Sequence, residues 1–194
     1  MATIAEIVNL IDCGLSATYG TGSIGCKALF RNVSSVWFTP KGFKFSKTEV
    51  LDEDYVQQLQ AEGNLIILKG VTTFTDNSEE MVTETEEDGT EGFVRKGKYK
   101  FLMEFVNGLY YQQALNSLNS QSLYDISLVD SANNILGTLA SDGSVKGFST
   151  TMVQASKLTF ATGSARSKQG INVQLDDPDE LDNDFSFISG KSLA

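Results

Sequence analysis

The sequence of 194 residues contains no histidine and only two prolines, two cysteines and one tryptophan. The absence of histidine removes the commonest general base, the commonest metal ligand and the usual switch near neutral pH. Cys13 and Cys26 are too few for a disulfide framework and do not form a C-x-x-C pair, so we expect reduced thiols. Serine and cysteine nucleophiles also lack the histidine that usually activates them, which disfavours an enzyme.

Basic residues are scarce relative to acidic ones. Fifteen Lys and Arg stand against 25 Asp and Glu, giving a net charge of −10. Proteins that bind nucleic acid through its phosphates need a basic surface, so this class is disfavoured. No apolar run approaches the roughly 18–20 residues that span a bilayer, and the first residues lack the pattern of a signal peptide. We therefore expect a soluble protein, made in a cytoplasm, with no membrane partner.

The residues that are abundant favour β-structure. The chain has 17 Gly, twelve Phe and six Tyr, a composition typical of strands and turns. Residues 124–129 alternate Tyr124, Ile126 and Leu128 with Asp125 and Ser127, and a hairpin turn is predicted at 130–134. Helices are predicted over 52–63, with Asp52 as the N-cap, and over 109–119. The predicted fold class is mainly β, an antiparallel sandwich or barrel with one or two packed helices.

In this prediction one stretch organises the chain, Gly92–Val106 (GFVRKGKYKFLMEFV). Its aromatic residues, including Phe93, Phe101 and Phe105, alternate with charged ones, as expected for a single long strand with an aromatic inner face. The segment before it, 76–91, is strongly acidic.

Three motifs could carry chemistry. Gly20–Gly25 matches G-x-G-x-x-G, but no amphipathic helix follows and the chain lacks βαβ alternation, so a loop is favoured over a nucleotide site. The acidic segments 76–91 and 176–184 could bind Ca²⁺, although neither has EF-hand spacing. Carboxylate pairs for acid–base chemistry are so numerous that composition singles out none.

The basic strip Arg95, Lys96, Lys98 and Lys100 could bind nucleic acid, protect a strand edge or meet the acidic loop of a neighbouring subunit. Because the protein is acidic overall, we favour the neighbour. The predicted subunit-interface residues are Asp76, Glu79, Glu80, Glu84, Glu86, Glu87, Asp88, Arg95, Lys96, Lys98 and Lys100.

The stretch from Gly70 to Leu175, a little over half of the chain, resembles tailed-bacteriophage structural proteins of the tail-tube or neck-ring type. The likeness is greatest to those of Bacteroidetes-infecting, crAss-like phages. The segments that carry it are VTTFTDNSEE (71–80), VRKGKYKFLMEF (94–105), YYQQALNSLNS (110–120), YDISLVDSANNILGT (124–138), VKGFSTTMV (145–153) and INVQLDDPDE (171–180).

The resemblance implies a small β-sandwich or barrel with a flanking helix, assembled into rings. It implies a hairpin arm that reaches a neighbour, at the position of the acidic loop 76–91. The expected organisation is an N-terminal arm and Gly-rich loop (1–26), a β-rich ring-forming domain (27–188) and a C-terminal tail (189–194). The expected partners are further copies of the chain and adjacent ring, portal or tail proteins of the virion. Genomic DNA would pass through the acidic lumen without specific binding.

The expected location is therefore the neck or tail of a virion, assembled in the bacterial host cytoplasm, with no cofactor and no enzymatic activity. Two alternatives stay open. One is a capsid decoration or head-fibre-attachment protein of the same virion. The other is a carboxylate-rich metal-binding or enzymatic β-domain.

Overall fold

The elements of the fold are antiparallel strands with a few short helices. The computed structural model describes residues 32–45, 49–80, 82–85, 90–106, 108–140, 142, 144–160, 166–182 and 184–188. The strands are β1 Val33–Pro40, β2 Lys44–Phe45, β3 Ile66–Lys69, β4 Val71–Asp76, β5 Val82–Thr85, β6 Glu91–Arg95, β7 Lys100–Val106, β8 Ser120–Gln121, β9 Tyr124–Asp130, β10 Ile135–Leu139, β11 Val145–Lys146, β12 Phe148–Ala155, β13 Lys168–Leu175 and β14 Phe185–Ile188. The helices are a 3-10 turn at Glu49–Leu51, α1 Glu53–Ala61, α2 Gly108–Ser117 and α3 Asp179–Asp182.

Strand β9 is the junction of the main sheet. One edge of β9 pairs with β1, and the other edge pairs with β12 near Ile126 and with β10 near Val129. The strand order is β2-β11-β10-β9-β12-β13-β7-β4, with β3 added to β1, β14 to β10 and β8 to β12. The path is open at β2 and β4, and the described pairings are antiparallel. The predicted mainly antiparallel β fold class is confirmed, with three short α-helices among the described residues where one or two were predicted.

Two hydrophobic cores cover the two faces of β1 and β9. The first joins β1, β9 and β12 to β7, β13 and helix α2, with Phe38, Phe105 and Phe148 among its fully buried members. The second lies on the opposite face and brings Trp37 together with Leu59 of α1. Because both faces are covered, the predicted alternation of β9 does not separate core from solvent. Asp125 and Ser127 are as buried as their apolar neighbours.

The helix over 52–63 is confirmed together with its punctuation. Asp52 has extended backbone angles, and its side chain accepts a hydrogen bond from the Asp54 N–H. Gly63, just past the end, has a φ of +76°. A carboxylate at the N-cap and a left-handed glycine after the last turn are the usual means of starting and ending a helix. The helix predicted over 109–119 is also confirmed, at Gly108–Ser117.

The single long strand predicted over Gly92–Val106 is wrong. The stretch forms two strands, β6 and β7, and residues 96–99 between them have no strand conformation. Strand β7 follows the predicted alternation, with Phe101 and Phe105 buried. Strand β6 instead pairs with β5 in a separate two-stranded sheet, which leaves Phe93 62% exposed. Period-two alternation reports strand conformation and carries no information on whether a second layer covers the face.

Several predicted segments lie outside the described residues. They are the N-terminal arm and Gly-rich loop (1–26), including Cys13, Cys26 and the G-x-G-x-x-G match, and the tail 189–194. The division of the chain into these parts stays a prediction.

Candidate interaction surface

A two-stranded hairpin extends from the edge of the main sheet, and we call it the arm (described residues 77–80, 82–85 and 90–99). It continues the pairing of β4 with β7: the Asn77 N–H donates to the Lys100 carbonyl at 2.8 Å and the Glu79 N–H to the Lys98 carbonyl at 2.9 Å. Beyond this irregular section β5 pairs with β6, from Val82 opposite Arg95 to Thr85 opposite Glu91, with a shift of register between Val82 and Thr83.

The arm exposes apolar side chains. Phe93 is 62% and Val94 51% exposed, and the remaining described residues of β5 and β6 are exposed or half-buried. Within the described part of the chain, these two strands pair only with each other. An isolated two-stranded hairpin is marginal in water, and exposed aromatic residues on such an element are typical of a contact surface.

Ion pairs attach the base of the arm to the body. Glu79 accepts hydrogen bonds from Lys100 at 2.5 Å and from Arg95 at 3.4 Å. The bond from Lys100 is the main reason that the pKa of Glu79 lies below its usual value. Lys96 donates to Asp179 and, at 3.2 Å, to Asp182, both on α3. These carboxylates raise the pKa of Lys96, the bond to Asp179 most strongly.

Tyr99 completes this attachment. Its hydroxyl donates to the carboxylate of Asp182, and that bond, with partial burial, raises the pKa of Tyr99 to about 12. Its ring stacks on Phe101, with centroids 6.0 Å apart. The base of the arm is therefore held through both charge and packing.

The structure brings together part of the predicted interface set. Glu79, Arg95, Lys96 and Lys100 form ion pairs within the chain. Asp76 caps the turn at Ser78, accepting from its N–H at 2.9 Å and from its hydroxyl. Glu80 and Glu84 are exposed and Lys98 is half-buried, whereas Glu86, Glu87 and Asp88 lie outside the described residues. That these residues contact a neighbouring subunit stays a prediction.

Sequence reasoning missed three residues of this region. Asp179 and Asp182 belonged to an acidic segment that the sequence could not place beside the arm, more than 80 residues away in the chain. Phe93 was assigned to an inner face and is exposed. Long-range pairs of this kind leave no periodic signal in a single sequence.

A second, largely half-buried polar cluster joins α3 to β11 and β12. The carboxylate of Glu180 accepts from Lys146 Nζ at 2.6 Å, from the Ser149 N–H at 2.6 Å and from the Ser149 hydroxyl at 2.9 Å. Asp125 is fully buried nearby, and its Oδ2 accepts from the Gly42 N–H at 2.7 Å. Loss of hydration on burial raises the pKa of Asp125. These bonds join separate segments, as structural clusters do.

Three further observations on the described chain concern metal ligands, grooves and membrane-spanning helices. No group of three or more His, Cys, Asp or Glu side chains is arranged to hold a metal ion among the described residues. A groove of about 740 Å³ between β1, β4 and β9 is lined by apolar and neutral polar side chains, including Val33, Phe74 and Leu136. No helix within the described ranges is long and apolar enough to cross a membrane.

No family model matches the chain, and no curated protein matches it. Among solved structures, the chain is similar to one from the "Cryo-EM structure of the anti-feeding prophage (AFP) baseplate, 6-fold symmetrised". The sequence identity is 9% and the TM-score 0.34, over 84% of this chain and 97% of that chain. A TM-score this low establishes neither a shared fold nor a shared role.

Proposed function

We propose that this chain is a non-enzymatic structural protein of a tailed-phage virion, which assembles into an oligomeric ring of the neck or tail. The observation that carries the proposal is the arm, because its two strands have no covering layer among the described residues and expose Phe93 and Val94. A neighbouring copy would bury these side chains and stabilise a hairpin that is marginal alone. The sequence resemblance to tail-tube and neck-ring proteins supports the same role.

The charge of the chain fits a channel component. A net charge of −10 would keep DNA phosphates from adhering to the wall of a ring through which the genome leaves the head. The partners in this proposal are identical subunits and adjacent ring, portal or tail proteins, and no cofactor takes part. The protein would be assembled in the bacterial host cytoplasm and reside in the virion.

Light scattering and negative-stain imaging of the purified full chain test the proposal. Closed rings with a central hole of about 20 Å or more, enough for a DNA duplex, are expected. The double variant Phe93→Ser, Val94→Ser removes the exposed apolar surface of the arm and should lower the assembled fraction. A trimer without a hole would contradict the ring and favour capsid decoration or fibre attachment. A monomer at every concentration would contradict the structural role. So would a melting temperature that rises with Ca²⁺, if replacing acidic residues by their amides abolished that rise.

A further inference from the structure

The basic residues of the chain are unevenly distributed. Residues 143–175 contain Lys146, Lys157, Arg166 and Lys168 and no Asp or Glu, in a chain whose net charge is −10. The opposite holds around the arm, where 84–91 contains Glu84, Glu86, Glu87, Asp88 and Glu91 and no basic residue. Besides the basic strip 95–100 and the acidic segment 176–184, the chain thus has a basic segment at 143–175 and an acidic one at 84–91.

The outer part of the basic segment is a second hairpin, joining β12 to β13. We call its described residues, 156–160 and 166–168, the basic hairpin end. Backbone bonds between Thr159 and Lys168, at 2.8 and 3.0 Å, and between Ser156 and Gly170, at 2.8 Å, extend the pairing of the two strands. This part of the hairpin is therefore an ordered extension of the sheet.

The basic hairpin end exposes cations beside an aromatic ring. Phe160 is 72% exposed, and Lys157 and Arg166 are exposed as well. Neither Lys157 nor Arg166 forms an ion pair with any residue that the structure describes, whereas Lys168 pairs with Glu104 at 3.4 Å. The basic hairpin end therefore carries cations and an exposed ring. The arm carries carboxylates and the exposed ring of Phe93, so the two surfaces have complementary charges.

The register of the sheet places these two surfaces at opposite ends of the molecule. Strand β7 begins at Lys100, opposite Gln174, and ends at Val106, opposite Lys168. The arm leaves the sheet at the Lys100 end, where Asp76 lies opposite Phe101, and the basic hairpin end lies beyond Lys168. At about 3.3 Å per residue, the length of β7 separates them by roughly 20 Å. The base of the arm also binds α3, which follows β13 at the Lys100 end, so we expect another copy to supply the complementary surface.

We infer that the acidic arm of one copy docks on the basic hairpin end of the next copy. The contact pairs Glu84 and Glu91 with Lys157 and Arg166 and brings the exposed Phe93 and Phe160 into one apolar patch. Because the two surfaces differ and lie at opposite ends, the contact is heterologous and repeats from copy to copy. The inference rests on the proposed self-assembly and names the surface that receives the arm.

Nucleic acid is the other partner that exposed cations could attract. The basic hairpin end has few cations on a strongly acidic chain, whereas affinity for nucleic acid depends on neutralising many phosphates. The acidic arm supplies the opposite charge within the same sequence. A second copy is therefore the partner that the charges favour.

Charge reversal on each surface tests the inference. Sedimentation velocity of the full chain would compare the wild type with Lys157→Glu, Arg166→Glu and with Glu84→Lys, Glu91→Lys. Each double variant should weaken self-association by about tenfold or more, because like charges then face each other. Mixing the two variants, or combining all four substitutions in one chain, should restore it. Raising NaCl from about 0.05 to about 0.5 M should weaken the wild-type association, as screening requires.

The matched control is Lys41→Glu, Lys44→Glu, which makes the same change in net charge as Lys157→Glu, Arg166→Glu, on exposed residues outside both hairpins. It should associate like the wild type, and circular dichroism verifies that every variant folds. Wild-type association in Lys157→Glu, Arg166→Glu would overturn the inference and leave the ring proposal intact. If the mixed variants associate again but form open chains without rings, the result would support the inference and overturn the ring proposal. A mixture that stays monomeric while the wild type assembles would overturn the inference alone.

Discussion

Lys146 and Glu180 form the least exposed ion pair among the described residues, with Nζ and Oε1 2.6 Å apart and side chains 23% and 13% exposed. Glu180 lies on α3, whose Asp179 and Asp182 bind Lys96 at the base of the arm. This single helical turn therefore connects β11 and β12 on one side with the arm on the other. Its position depends on this charge pairing together with Leu181, which is partly buried and packs against the first core.

The first prediction concerns this pair. Glu180→Ala should lower the free energy of unfolding by about 2–4 kcal/mol, because Lys146 and the Ser149 N–H lose their acceptor in a poorly hydrated site. Urea denaturation measures the change. Asp176→Asn, which removes an exposed pair with Lys41 at 3.8 Å, is the control and should change it by less than about 0.5 kcal/mol. The double variant Lys146→Met, Glu180→Leu should be less destabilised than Glu180→Ala. The reverse order would contradict the role given to the unpaired Lys146.

The second prediction concerns pH. Burial raises the pKa of Asp125 above its usual value of 3.8, so the folded protein binds this proton more tightly than the unfolded chain. The stability that Asp125 contributes is complete below pH of about 3.8 and is lost as pH rises through its raised pKa. Asp125→Asn should therefore become more stable relative to the wild type as pH rises over this interval. Urea denaturation at several pH values gives the difference in free energy of unfolding between Asp125→Asn and the wild type. The contributions of Glu79 and other groups cancel in this difference. A difference that does not change with pH would refute the prediction.

The third prediction concerns Tyr99. Its hydroxyl should ionise near pH 12, because the bond to Asp182 stabilises the protonated form. Asp182→Asn removes the negative charge and should move this titration toward 10, the usual value for tyrosine. Absorbance at alkaline pH follows it, with Tyr99→Phe identifying the signal among the six tyrosines. An unchanged titration in Asp182→Asn would show that burial alone shifts Tyr99.

Local signals in the sequence predicted local structure well. The helix at 52–63 was predictable because an N-cap carboxylate, acids in the first turn and a terminal glycine all act within a few residues. The turn at 130–134 was predictable for the same reason: Asp130 Oδ1 accepts from the N–H groups of Ala132, at 2.7 Å, and Asn134, at 2.9 Å.

What the sequence could not predict depends on which elements meet. The two buried faces of β9 require α1 and the 3-10 turn to lie on the far side of the sheet, which no pattern within β9 encodes. The ion pairs of Lys96 with Asp179 and Asp182 join residues separated by 83 and 86 positions. The sequence therefore predicted the candidate surface only as a set of charged residues. Which of them form ion pairs within the chain and which are exposed is known only from the fold.

The break in the predicted long strand leads to the last prediction. At Gly97 the two sides of the arm approach so closely that a Cβ would lie 1.9 Å from the Glu79 carbonyl oxygen and 2.4 Å from that of Glu80. Both contacts are with backbone, which cannot move as a flexible side chain could. Gly97→Ala should therefore force the strands apart and lower the free energy of unfolding by about 1–3 kcal/mol in urea denaturation.

The matched control is Gly63→Asn, at a glycine with a φ of +76° and nothing within 4 Å of its Cβ position. Asparagine tolerates a left-handed conformation, so this variant should lose less than about 1 kcal/mol. Hydrogen exchange would separate local from global effects: Gly97→Ala should lose protection at the N–H groups of Asn77 and Glu79, which bond across the arm. Unchanged protection there would mean that the close approach at Gly97 does not hold the arm in place, and that its position depends on Lys96 and Tyr99 instead.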